Sequence, residues 1–283
     1  MTQQKEFTFW DHLSELRDVA IRIFVLLTVL STAFFFVMPW IFDHVILAPA
    51  SGSFPLYRLL SGLHGDGSLL PDFSGEDFHV DIINIELASQ FFVHISASFW
   101  LAVVTAFPVI IYMVWGFVSP GLYEHEKRGA RKAFLFGNLM FYLGMATGYF
   151  VAFPMMLRFL ADYHLSDRIA NTVSLTSYMD SFYMLVFMMG LLFELPLLAW
   201  ILGKTGLLRR GFFARYRRYA IVGLLIIAGI VTPTSDLVTL MIVFLPVYIL
   251  WEASALLVPP EEAGTDRGVD DSAASDTDNV TNS

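Results

Sequence analysis

The sequence predicts an all-α, polytopic membrane protein with six transmembrane helices, the last two short, and both ends in the cytoplasm. Three observations predict it. The 283 residues are 56% hydrophobic and only 15% charged, with a mean hydropathy of +0.63, whereas a soluble domain carries about a quarter charged residues. The apolar residues fall in long runs, several reaching the ~20 residues that a helix rising ~1.5 Å per residue needs to cross a ~30 Å hydrocarbon core. The basic residues are segregated as well. Lys5, Arg17, Arg22, Lys127, Arg128, Arg131, Lys132, Lys204, Arg209, Arg210, Arg215, Arg217 and Arg218 make 13 of the 17, against Arg58, Arg158 and Arg168 on the opposite side and Arg267 in the tail. By the positive-inside rule the N-terminus faces the cytoplasm, and six crossings return the C-terminus to it.

Residues 1–22 form a cytoplasmic amphipathic segment. Trp10, Leu13, Leu16 and Val19 recur at every third position and set an apolar stripe on an interfacial helix, with His12, Glu15 and Arg17 around it. Thr8 or Asp11 is placed to cap its start. Charges continue to Arg22 and no small-residue cleavage site follows, which argues against a cleaved signal peptide. The first span runs from Ile23 to Phe42. A long acidic outer loop, about 43–86, carries turn residues around Ser51–Pro55 and Ser61–Gly75 and is expected to cap the outer face with short amphipathic pieces. The second span lies within Leu87–Tyr123, the third is Ala133–Leu157 and the fourth Ser181–Gly203, interrupted only by Glu194.

Tyr219–Val258 is broken at Thr232-Pro233-Thr234-Ser235-Asp236, which is turn chemistry. It therefore divides into two helices of roughly 15–20 residues, short for a bilayer. That closes a transmembrane domain of residues 23–258. The remainder, 259–283, holds Glu261, Glu262, Asp266, Asp270, Asp271, Asp276 and Asp278 among Ser, Thr and Gly; it is read as a solvated, disordered cytoplasmic tail and carries most of the net charge of −9.

Composition also excludes function classes. Without cysteine there is neither a disulfide nor thiolate chemistry. The seven histidines include no HxxxH pair, and His12 with Glu15 three residues on finds no further ligand, which argues against a metal site. No GxSxG elbow and no intramembrane Ser/His pair is present, which argues against a rhomboid-type protease. No cofactor or nucleic-acid motif stands out either. The expectation is a protein that is not an enzyme.

Glu194 is the most informative position. A carboxylate inside an apolar span costs about 2.5–3.5 kcal/mol on insertion scales, so a partner, water or a proton must offset it. Pro196, two residues on, removes a backbone hydrogen bond and should bend the helix beside it. Two readings stand: a structural glutamate bonding a neighbouring helix, or a functional group, the commoner role of intramembrane acids. In a proton-coupled secondary transporter Glu194 would be the coupling carboxylate, but that function calls for further polar partners or an internal repeat, and neither is found. Glu124-His125-Glu126-Lys127-Arg128 reads either as a solvated turn or, with Glu126 facing Glu15, as a pair of carboxylates suited to guanidinium groups, which fork where Lys does not. Asp236 is placed to cap the last helix.

These segments resemble the TatC family, the large polytopic subunit of the twin-arginine protein translocase. His12-Leu13-Ser14-Glu15-Leu16-Arg17 resembles the family's HLxELR signature, and Pro49 follows in the outer loop. Pro108–Trp115 and Phe117-Val118-Ser119-Pro120-Gly121-Leu122-Tyr123 resemble the second-span exit, Phe193-Glu194-Leu195-Pro196 matches FExP, and Thr232-Pro233 with Asp236 matches the fifth-to-sixth turn. The resemblance covers roughly residues 8–256. It implies a concave bundle in a bacterial cytoplasmic (inner) membrane that receives twin-arginine signal peptides of folded cargo and exports it independently of Sec. It further implies TatA- and TatB-type single-span partners, self-association within the complex and contact with lipid. By the same resemblance, signal recognition falls to Glu15, Arg17 and Glu126, with Glu194 inside the concave face, while Pro49, Pro120, Pro196, Pro233 and Asp236 are structural or functional positions. Three departures stand out: Asp18 where many relatives have a basic residue, Leu240 where some carry Gln, and a longer first outer loop.

Overall fold

The computed structural model describes residues 9–61, 79–118, 124–163, 166, 172–204, 208, 210–232 and 236–258. Within them each apolar run is helical. Helix α1 spans Phe9–Ile41, α2 Pro55–Ser61, α3 Ser89–Val118 and α4 Glu124–Thr147; a π turn, Gly148–Ala152, joins α4 to α5, Phe153–Asp162. Then come α6 (Leu175–Leu192), α7 (Leu195–Lys204), α8 (Arg210–Val231) and α9 (Leu237–Leu257). Among the described residues five segments are long and apolar enough to cross a membrane: Leu13–Ala50, Ser89–Phe117, Phe134–Asp162, Leu175–Lys204 and Leu237–Leu257. The sixth rod, α8, starts with arginines and is apolar only in its second half.

The final pair differs from expectation in length. α8 has 22 residues and α9 has 21, so α9 rises ~31 Å and matches a hydrocarbon core. The sequence reading ended α8 at its charges, but Arg210–Arg218 are helical. A charge marks where a helix leaves the bilayer, not where the helix ends. Both remain shorter than the other rods, which carry 29 or more residues.

Successive rods alternate in direction and define two faces. The cap face gathers residues 42–61, 79–88, 163 and 172–174 with the end of α8 and the start of α9; the basic face gathers the start of α1, the end of α3, the start of α4, the end of α7 and the start of α8. The cap is built from short pieces, as expected: a π turn (Phe42–Ile46), a 3-10 turn (Ala48–Ala50) and α2. Strand β1 (Ile82–Ile83) pairs in parallel with β2 (Val173–Ser174), tying the loop to the start of α6.

Irregular backbone near a bilayer must find its hydrogen bonds within the protein, and tyrosines supply them here. Tyr178 donates to the Ile46 carbonyl at 2.6 Å and Tyr149 to Val45 at 2.8 Å. The Tyr57 hydroxyl sits 3.0 Å from the carbonyls of both Pro49 and Pro154, its proton shared between them. Burial pushes this phenol well above the usual tyrosine range, partly countered by the Arg158 guanidinium, while Asp162 raises it further. Arg158 is itself buried and pairs with Asp162 at 2.8 Å.

Two of the in-helix prolines follow the same rule. Pro39 and Pro108 have no N–H, so each orphans the carbonyl four residues earlier, Phe35 in α1 and Val104 in α3. The His94 ring Nε2, from α3, lies 2.7 Å from the Phe35 oxygen, and the Tyr142 hydroxyl, from α4, donates to Val104 at 3.0 Å. Each kink thereby becomes a bond to the next helix.

Candidate functional site

Glu194 sits where a rod breaks. Pro196 offers no N–H to the carbonyl of Leu192, and α6 ends at that residue. Phe193 and Glu194 form a turn, with the Glu194 N–H reaching back to Leu191 at 3.1 Å, and α7 begins when Leu198 donates to the Glu194 carbonyl at 3.0 Å. Pro196 is buried in the first turn of α7. The helix is therefore interrupted beside Pro196, and the acid stands at the interruption.

A line of glycines brings α4 against that break. A Cβ on Gly144 would come within 2.5 Å of the Met189 carbonyl oxygen and 2.7 Å of the Phe193 Cβ; one on Gly148 would come within 2.9 Å of the Val186 Cα. From the other side, a Cβ on Gly190 would meet Met145 at 2.8 Å and Phe141 at 2.9 Å. Helices in lipid approach this closely only through small residues. About two turns from Gly144 towards the basic face, a Cβ on Gly137 would stand 3.0 Å from the Glu194 Oε2 and 2.5 Å from Leu197. The half-buried Glu194 carboxylate thus lies on bare helix backbone, and among the described residues it has no hydrogen-bond or ion-pair partner.

Next to Gly137, Asn138 donates to the Phe134 carbonyl at 2.9 Å and leaves its Oδ1 buried without a partner among the described residues. The sequence alone does not single out Asn138 or the glycines. The signal was present, a lone amide in the third apolar run and glycines at 137, 144 and 148, but a glycine declares a close approach only when its neighbour is known.

The remaining positions divide between the faces. Glu15 is half-buried on α1. Arg17 is exposed and its guanidinium meets the adjacent Asp18 at 3.1 Å, so the acid that departs from the family pattern neutralises the signature's own arginine. Glu126 falls in the first turn of α4, on the same basic face as the start of α1, and its side chain lies outside the described residues. Pro120 and Pro233 also lie outside them. Pro49 is buried in the 3-10 turn under Tyr57. Asp236 caps α9 as expected, accepting from the Thr239 N–H at 2.7 Å. Leu240 makes an apolar contact across the α8–α9 pair, its Cδ1 lying 3.7 Å from where a Cβ on Gly229 would stand. No group of three metal-ligating side chains occurs among the described residues.

The comparisons agree with one another. A family model described as Sec-independent protein translocase protein (TatC) matches residues 11–246. The chain is 35% identical over 186 residues to the Sec-independent protein translocase protein TatC of Helicobacter pylori (strain J99), covering 66% of this chain and 74% of that protein. Against the TatC of Blattabacterium it is 28% identical over 256 residues, 89% of this chain and 95% of the relative. A crystal structure of the twin-arginine translocase receptor TatC in DDM superposes with a TM-score of 0.69 at 28% identity, covering 88% of this chain and 99% of that one.

Proposed function

The chain belongs to the TatC family of Sec-independent protein translocase proteins, and on that premise we propose that its basic face is where a twin-arginine signal peptide docks. Glu15 and Glu126 accept the two guanidinium groups, each carboxylate able to take a planar fork. The apolar part of the signal then passes along α4 towards Glu194. The cap face lies outside, the termini lie in the cytoplasm, and the membrane is the bacterial cytoplasmic one. Single-span partners of TatA and TatB type, and further copies of the chain, complete the translocating complex around it.

The observation that carries this reading is the break at Phe193–Glu194. It leaves a carboxylate on a glycine surface with no described partner, which suits a polar group kept for a visiting chain better than one locked into a helix–helix bond. The transporter reading finds no support in a family of protein translocases.

Photo-crosslinking of a twin-arginine signal peptide to the protein in membranes tests the proposal. Glu15→Ala and Glu126→Ala should each lower the crosslink by about tenfold, the ~1.5 kcal/mol or more of a charge-assisted bond. An unchanged crosslink in both, at normal protein levels, sinks the docking assignment. Glu194→Ala should leave that first crosslink in place and reduce export of a folded reporter; loss of the first crosslink would remove Glu194 from the later step.

A further inference from the structure

The first three turns of α8 carry Arg210, Arg215, Arg217 and Arg218, all exposed, interleaved with Phe212, Tyr216 and Tyr219. Arg217 is committed elsewhere: it reaches across to α9 and binds Glu252 at 2.8 Å, an acid that also accepts from Tyr248 at 3.0 Å. Arg215 and Arg218 point differently. Three residues apart, they are like-charged neighbours on one helix face, and among the described residues no carboxylate pairs with either.

Below them on the same face the helix turns apolar and stays exposed. Tyr219, Val222, Ile226 and Ile230 follow at spacings of three and four residues and are 73%, 57%, 59% and 65% exposed, an unbroken apolar stripe along the outward face of α8. Two guanidinium groups thus stand directly over a path for a hydrocarbon chain, with a tyrosine at the level where aromatic residues meet headgroups. We propose that Arg215 and Arg218 hold the phosphate of one anionic phospholipid, whose acyl chain lies along Val222, Ile226 and Ile230. Guanidinium pairs suit the oxygens of a phosphodiester, and basic residues at the end of a spanning helix are where anionic headgroups collect. The site depends on membrane insertion and not on signal-peptide docking, so it stands or falls separately from the receptor reading.

Native mass spectrometry of the full chain, released from bilayers of equal phosphatidylglycerol and phosphatidylcholine, reads it directly. The native protein should retain phosphatidylglycerol preferentially. Arg215→Gln and Arg218→Gln should each cut that preference about fivefold, and the pair roughly thirtyfold, at ~1 kcal/mol per interfacial basic residue. The double Lys variant should keep part of it, which shows that the protein remains folded and that charge is read. Lys204→Gln, at the end of α7 where the ammonium lies 4.6 Å from the Trp200 ring, should leave it unchanged. An equal loss in Lys204→Gln, or full retention in the double Gln variant, overturns the site. Glycerol phosphate without acyl chains should not displace the lipid; displacement by it would overturn the role of the apolar stripe.

Discussion

The two faces of this bundle are built on opposite terms. At the cap face carbonyls of the irregular chain are met by backbone N–H groups, as at Phe42, Ala50 and Asp81, or by tyrosines from other elements: Tyr178 on Ile46, Tyr149 on Val45, and Tyr57 on Pro49 and on Pro154 of α5. The largest buried cluster runs there too, through Met38, Ile46, Phe153 and Tyr178. At the basic face α1 stands with Leu13 and Leu16 each 48% exposed, and the nearest buried cluster is small, centred on Ala199, Phe213 and Val258. The contrast separates two tasks. A cap that fixes the helices in place lets the opposite end stay open to a partner, since groups already satisfied by their neighbours have nothing left to offer a ligand.

Substitutions can break this contrast. The largest effect is expected from Gly144→Ala. Its Cβ would fall 2.5 Å from the Met189 carbonyl, a backbone atom that cannot swing away, so the α4–α6 contact must open at about 2–3 kcal/mol. Gly116→Ala, near the basic-face end of α3, adds a Cβ that meets nothing within 4 Å among the described residues and should be neutral or slightly stabilising, because Ala favours a helix by up to ~1 kcal/mol. Unfolding in detergent compares the two, and equal losses would dissolve the distinction. Next comes Tyr178→Phe, which orphans the Ile46 carbonyl and should cost about 1–3 kcal/mol. Tyr216→Phe on the opposite face should stay within ~0.5 kcal/mol. The smallest effect belongs to Arg17→Gln. The Arg17–Asp18 pair is 69% and 51% exposed, so thermal stability should hold to within ~0.5 kcal/mol, and a clear loss would show that α1 is braced in a way its exposure denies.

How much of this was legible in the sequence follows from how local each cause is. The apolar runs, the break at Glu194–Pro196 and the Asp236 cap are written within a few residues, and all were found. Arg158 reads in the sequence as an outer-side charge; the fold keeps it at the cap end of its rod and buries it, while its partner Asp162 stays exposed. Nothing local in the sequence marks that burial, which only the fold supplies. Pro39 and Pro108 announce orphaned carbonyls at Phe35 and Val104, yet the groups that meet them, His94 and Tyr142, lie 59 and 38 residues away in the chain. Asn138 and the glycines facing Glu194 were illegible for the same reason, since their meaning lies on another helix.

If docking happens at the open face, the cap stays fixed while the signal peptide binds. Hydrogen exchange of the protein in lipid nanodiscs, with and without a twin-arginine signal peptide, tests it most directly. The account predicts added protection in residues 9–25 and 124–137 with a twin-arginine peptide, little with a twin-lysine one, and no change at 42–57 or 149–158. Protection confined to the cap segments, or equal protection by both peptides at the basic face, would contradict it.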